Sequence, residues 1–249
     1  MIRTMRLIRA FVEAALSPGA SVAAGGTAAG HITRVLRLGT GDPVTLFNGD
    51  GSDYPARIKG LRGAQVEMEV LDRVPARPES PLSLTLVQGI ARAERMDLIV
   101  QKATELGVAA IQPVLASRSV VRLDAGTTVR KLAHWRGIAI AACEQCGRAR
   151  LPAIAAPLSL PEWLARPAPD FRRRLQLAVD ATGSLAAAAA GARAIELLIG
   201  PEGGLDAGER EAAARSGYRP CALGPRVLRT ETAALTALAV LQATAGDLC

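Results

Sequence analysis

Two short stretches near the C-terminal end carry the residues best placed for chemistry: Leu197-Leu198-Ile199-Gly200-Pro201-Glu202-Gly203-Gly204 and Leu223-Gly224-Pro225-Arg226-Val227-Leu228-Arg229-Thr230-Glu231. In each, a short apolar run ends at a Gly-Pro turn and a helical pattern begins just after it, so two strands deliver two loops to the same sheet edge. Gly200, Gly203, Gly204 and Gly224 let the backbone approach a ligand with no Cβ in the way, while the fixed φ of Pro201 and Pro225 stiffens both loops. The result is a pocket of main-chain donors and acceptors. Beside it stand Glu202 and Glu231, carboxylates able to take a proton, and Arg229, a guanidinium able to face negative charge. One Gly-Pro turn is usually only a turn; two, the second followed by Arg229, Thr230 and Glu231, favour a site. Neither loop has the G-x-G-x-x-G spacing, and no G-x-x-x-x-G-K-[ST] occurs, so Rossmann and P-loop readings have no support.

The elements that must hold these loops alternate. Residues 82–87, 111–115, 175–179, 195–199 and 219–223 read as strands, and residues 94–106, 128–146, 184–190 and 231–245 as helices. Asp206 caps a further helix, with Glu209 at the matching position of a capping box. Strands alternating with helices predict an α/β domain with a parallel sheet covered on both faces. Residues 1–73 differ. Asn48-Gly49-Asp50-Gly51 is a hairpin turn, Val66, Met68 and Val70 alternate with glutamates, and residues 28–38 read as a helix, which together predict a small β-barrel. Three prolines within residues 74–81 mark the linker between a domain of residues 1–73 and one of residues 82–249.

The net charge of +7 suits a polyanionic partner, although almost all of the positive charge is arginine in an alanine-rich chain, a bias that genome composition also produces. Arginines at positions 3, 6 and 9 leave no apolar signal segment at the start, and residues 232–246 are too few and too rich in Ala and Thr to span a bilayer, so a cytoplasmic protein without membrane contact is expected. Cys143-x-x-Cys146 has no second ligand pair and only His134 nearby, so no metal site is expected. Aromatic residues are only 3% of the chain, which disfavours base stacking of the RRM kind.

The two loops, with Glu144-Gln145-Cys146-Gly147-Arg148, His31-Ile32-Thr33-Arg34-Val35-Leu36-Arg37 and Gln101-Lys102-Ala103-Thr104-Glu105-Leu106-Gly107, resemble the RsmE family of ribosomal RNA methyltransferases across the whole chain. The resemblance implies a PUA-like RNA-binding domain followed by a SPOUT-type domain with a trefoil knot. It also implies transfer of a methyl group from S-adenosylmethionine, without metal, to N3 of the uridine numbered 1498 in 16S rRNA, within the small ribosomal subunit. Its cofactor loops map to Val179, Leu198, Gly200, Pro201, Gly203, Gly204, Leu223, Gly224, Val227 and Leu228, and its C-terminal helix implies a homodimer. N3 of uridine bears a proton, which makes Glu202, Glu231 and Arg229 the catalytic candidates. Arg3, Arg34, Arg37 and Arg148 are the candidate RNA contacts. Two rival readings are a ribose 2′-O-methyltransferase of the same class, opposed by the N-terminal barrel, and a non-catalytic assembly factor, opposed by the intact glycine loops.

Overall fold

The computed structural model describes residues 8–121, 124–167 and 172–248. They form two compact units: the described residues up to Glu79 together with Cys143–Leu151, and Ser80–Ala142 together with the residues from Pro152 onward. The candidate Arg3 lies outside the described residues.

The first unit contains strands β1 (Arg9–Phe11) and β2 (Ser21–Ala24), a short helix α1 (Gly26–Gly30) that runs into one π-helical turn (His31–Val35), and strands β3 (Pro43–Phe47), β4 (Ser52–Arg62), β5 (Gln65–Val70) and β6 (Val74–Pro75). The sheet order is β1-β3-β4-β5-β2, with β6 on β4. Alternation along β5 buries Val66, Met68 and Val70, and these pack with Ala10, Val22, Ile32, Leu46, Tyr54 and Ile58. Strands from both ends of the sheet share this core, so the sheet curls around it. No ladder joins β1 to β2 among the described residues, so the expected barrel is an open, curled sheet.

Two features correct the expected boundaries. Val74 and Pro75, assigned to the linker, pair with Asp53 and Ser52, because proline at a sheet edge forfeits no ladder bond that a neighbour needs. Residues 143–151, expected in the C-terminal domain, group with the first unit. Glu144 Oε1 accepts the Phe11 N–H at 3.0 Å, and Arg9 Nη2 donates to the Arg148 carbonyl at 3.1 Å.

The second unit comprises β7 (Ser83–Gly89), α2 (Ala93–Glu105), β8 (Ala110–Leu115), α3 (Ala125–Cys146, up to Ala142), β9 (Ala153–Ile154), β10 (Leu158–Ser159), α4 (Leu160–Leu164), β11 (Arg173–Leu177), α5 (Leu185–Ala189), β12 (Ala194–Ile199), α6 (Ala207–Arg215), β13 (Arg219–Cys221) and α7 (Thr230–Ala245). Its sheet runs β10-β8-β7-β12-β11-β13, with β9 on β8, and every pair is parallel. Both faces are covered. On β12, Ile195, Leu197 and Ile199 join one cluster with residues of α2, α5 and α7, while Leu198 joins the opposite one with Leu160, Ala213 and Tyr218. The capping box of Asp206 and Glu209 opens α6, and a second, Ser159 with Glu162, opens α4. No helix among the described residues is long and apolar enough to cross a membrane.

Candidate active site

Strands β12, β11 and β13 are neighbours, and their C-terminal ends release three loops on one side of the sheet. Parallel strands place ligand sites at this edge because the loops there converge. Here they enclose a cleft of about 770 Å³, within the usual size of a small-molecule site.

Of the residues expected to hold a cofactor, Val179, Gly200, Pro201, Gly204, Leu223, Gly224, Val227 and Leu228 line this cleft. Leu198 does not: it is fully buried on the opposite face of β12, because alternation sends its neighbour Ile199 towards the cleft. Gly203 is not on the wall either. A Cβ there would lie 2.9 Å from Cβ of Arg118, whose Nη1 donates to the Gly203 carbonyl at 3.1 Å. Gly224, at φ +120°, is at the wall in a conformation that L side chains rarely adopt.

The catalytic candidates separate. Arg229 precedes α7, lines the cleft, is exposed, and makes no side-chain bond at the helix end. Glu202 also lines the cleft, but its Oε1 accepts from the Arg92 N–H at 3.0 Å and from Arg95 Nη1 at 3.2 Å. Partial burial pulls its carboxyl upward; the Arg92 amide and the Arg95 guanidinium outweigh that and hold it below the usual glutamate range. Glu231 is not a wall residue. Its Oε1 lies 3.8 Å from Arg95 Nε, and its Oε2 is buried without a hydrogen-bond partner. Arg229 and Glu231 thus do not pair; Arg95 stands between the two carboxylates.

Sequence reasoning passed over Arg95, Gly89 and the anchoring role of Thr230. Arg95 had one legible signal, a cation in the first turn of a helix, where the dipole disfavours it. A Cβ on Gly89 would sit 2.4 Å from the Pro201 nitrogen, so β7 and the first glycine loop touch backbone to backbone. Arg210 and Asp180, both on the wall, pair at 2.6 Å.

The arginines expected to meet RNA belong to the first unit. Arg34 and Arg37 are exposed there. Arg148 is not available in that way: its Nε and Nη2 reach Oε2 of Glu79 at 3.0 and 2.6 Å, and its side chain is only 12% exposed. The neighbouring Cys143 is buried, donates weakly to the Arg150 carbonyl, and has its thiol pushed up to about 12, chiefly by burial, so it stays protonated at neutral pH.

A parallel α/β domain with a glycine-lined cleft at the C-terminal ends of its strands is the arrangement of a small-molecule-binding enzyme domain. Residues 78–242 match the RNA methyltransferase domain family, and residues 25–69 the RNA methyltransferase PUA domain. The ribosomal RNA small subunit methyltransferase E of Buchnera aphidicola subsp. Schizaphis graminum is 33% identical over 218 residues, covering 88% of either chain; that of Bacillus subtilis is 31% identical over 85% of either. Among solved structures, the Neisseria gonorrhoeae enzyme of the same name, bound to S-adenosyl methionine, superposes with TM-score 0.89 at 36% identity, over 98% of this chain and 100% of that one. A putative methyltransferase from Legionella pneumophila in complex with bound SAM gives 0.92 at 37%, with the same coverage. The chain belongs to the ribosomal RNA small subunit methyltransferase E (RsmE) family, and is a methyltransferase.

Proposed function

We propose that this enzyme takes a methyl group from S-adenosylmethionine and places it on N3 of one uridine of 16S rRNA, in the small ribosomal subunit. The observation that carries the reading is the exposed Arg229, without a side-chain bond at the start of α7, on the wall of a cleft built largely by the two glycine loops. That wall fits the cofactor: Gly200, Gly204 and Gly224 bring main-chain groups within reach, and Ile199, Leu223 and Val227 add apolar surface. When bound, the cofactor supplies an electrophilic methyl group.

The chain's own residues then have three tasks. The loops exclude water and align the attacking nitrogen. Arg229 and the nearby Arg226, exposed on the rim, hold the negative charge of the target strand. Glu202, ionised and hydrogen-bonded, is a weak base, so the N3 proton leaves by another route. The exposed Arg34 and Arg37 of the first unit add RNA contacts, and a cytoplasmic location follows from the substrate. A homodimer is part of the same reading, with α7, uncharged from Thr232 to its end, at the two-fold contact; light scattering at micromolar concentration tests it, and an active monomer counts against it.

The function itself is tested by mass spectrometry of 16S rRNA from a strain lacking the gene. Loss of a single N3-methyluridine, restored by the wild-type gene and not by Arg229→Ala, is the expected result. Loss of a 2′-O-methyl group instead, or no change, defeats it.

A further inference from the structure

Three side chains from three different elements meet at one side of the cleft, Arg95 and Glu202 on its wall and Glu231 behind them. Arg95 comes from the first turn of α2, Glu202 from the loop after β12, and Glu231 from the first turn of α7. Arg95 Nη1 donates to Glu202 Oε1 at 3.2 Å and its Nε faces Glu231 Oε1 at 3.8 Å, too far for a hydrogen bond. The exposures of the three side chains fall from 36% through 19% to 12% in the order Arg95, Glu202, Glu231, so the guanidinium fronts the cleft and the carboxylates back it. A guanidinium carries five N–H groups in a rigid fork, and the two carboxylates fix the plane of this one while leaving donors free. Its place works against helix stability, since a cation in the first turn opposes the dipole.

We propose that Arg95 is the residue that meets the target uracil and stabilises it as its N3 proton leaves, with Glu202 and Glu231 as positioning residues for the guanidinium. This rests on the proposed uridine N3 chemistry. The N3–H bond breaks and its proton passes to water. The electron pair on N3 forms the new N–C bond, and the pair of the broken S–C bond stays on sulfur. Before transfer, the negative charge on the imide spreads to O2 and O4, planar acceptors that suit two parallel N–H donors. No protein base is required, because a cation beside the imide lowers its pKa and raises the fraction that is deprotonated at neutral pH.

The test is the pH dependence of single-turnover methylation of small subunits lacking the modification, at saturating S-adenosylmethionine, with cofactor affinity measured separately by calorimetry. For Arg95→Ala, the acid limb of the rate should move up by about one pH unit or more, the effect of losing an opposite charge at this range. Cofactor affinity should stay unchanged, and Arg95→Lys should recover part of the shift. Glu231→Gln, which loosens the guanidinium without removing it, should give a smaller shift. An Arg95→Ala profile parallel to wild type, whatever its height, overturns the inference. So does loss of cofactor affinity with the limb unmoved, which would make Arg95 a cofactor contact. If wild-type enzyme leaves N3 unmethylated, it is the underlying reading that fails.

Discussion

The Thr230 hydroxyl donates to the carbonyl oxygen of Gly200 across 2.7 Å, joining the first residue of α7 to the first glycine loop 30 residues earlier. The Thr230 oxygen in turn accepts from Gln88 Nε2 at 3.0 Å, and the same Gln88 nitrogen donates to the Gly89 carbonyl at 2.9 Å. One buried hydroxyl thereby pins the ends of β7 and β12 and the start of α7 around the cleft. Thr230→Val keeps the shape and strands these groups, so it should cost about 1–3 kcal/mol in urea unfolding and weaken cofactor binding. Thr230→Ser should be close to wild type in both.

The glycines of the two loops are expected to differ in kind. Gly224→Val places a branched side chain at the cleft wall in a left-handed backbone, so calorimetry should show no S-adenosylmethionine binding. Gly203→Val collides with Arg118 outside the cleft, and should shift the loop and reduce affinity without abolishing it. Equal, complete loss in both variants would mean that the two loops move as one body.

What the sequence disclosed, and what it hid, follows the range of the interactions. The buried run of β12 and the capping box of Asp206 and Glu209 are local patterns, and both formed where expected. The family resemblance supplied the convergence of three loops, which no periodicity contains. Leu198 lies off the cleft although its alternation with Ile199 is legible, because neighbours on a strand point to opposite faces and only one of the two can reach the wall. The partners of Glu144 and Arg148 lie 133 and 69 residues away, at Phe11 and Glu79, and no spacing in the sequence announces them. The same holds for Arg95, whose carboxylate partners lie on two other elements.

Glu144 offers a pH test. Burial raises its carboxyl above the ordinary glutamate value, against the opposing pull of the Phe11 N–H, His31 and Arg9. With a folded-state pKa above the unfolded one, the folded state binds the proton more tightly, so this group's contribution to stability is full below the unfolded pKa and is lost as pH rises through the folded one. At neutral pH the ionised form is a residual cost. Glu144→Gln keeps an acceptor for Phe11 and removes the charge, so thermal unfolding should show it as stable as wild type or more so at pH 7, with the advantage vanishing in acid. A clear loss at neutral pH would show that the attraction to Arg9 and His31 dominates.

The arginines of the first unit should fall into two groups. Arg148, tied to Glu79, should behave as a structural residue: Arg148→Ala should lower stability and leave the salt dependence of RNA binding nearly as it was. Arg37 is the opposite case. It is exposed at φ +54°, the one non-glycine residue with positive φ among those described, just past the π-helical turn that the Leu36 N–H closes on the His31 carbonyl. An L residue there is disfavoured by roughly 1–2 kcal/mol, and glycine would relieve it at an entropic cost of about 0.5–1 kcal/mol in the unfolded chain. A position where glycine folds at least as well, yet arginine stands, points to use of the side chain. Arg37→Gly should therefore leave the unfolding midpoint unchanged or raised, while the slope of log K for RNA against log salt falls by about one unit, as when one phosphate is no longer neutralised. Arg34→Ala should lower the slope in the same way, and neither change should alter S-adenosylmethionine affinity. If Arg37→Gly keeps the wild-type slope, the guanidinium touches no phosphate and the left-handed backbone has a local structural cause alone.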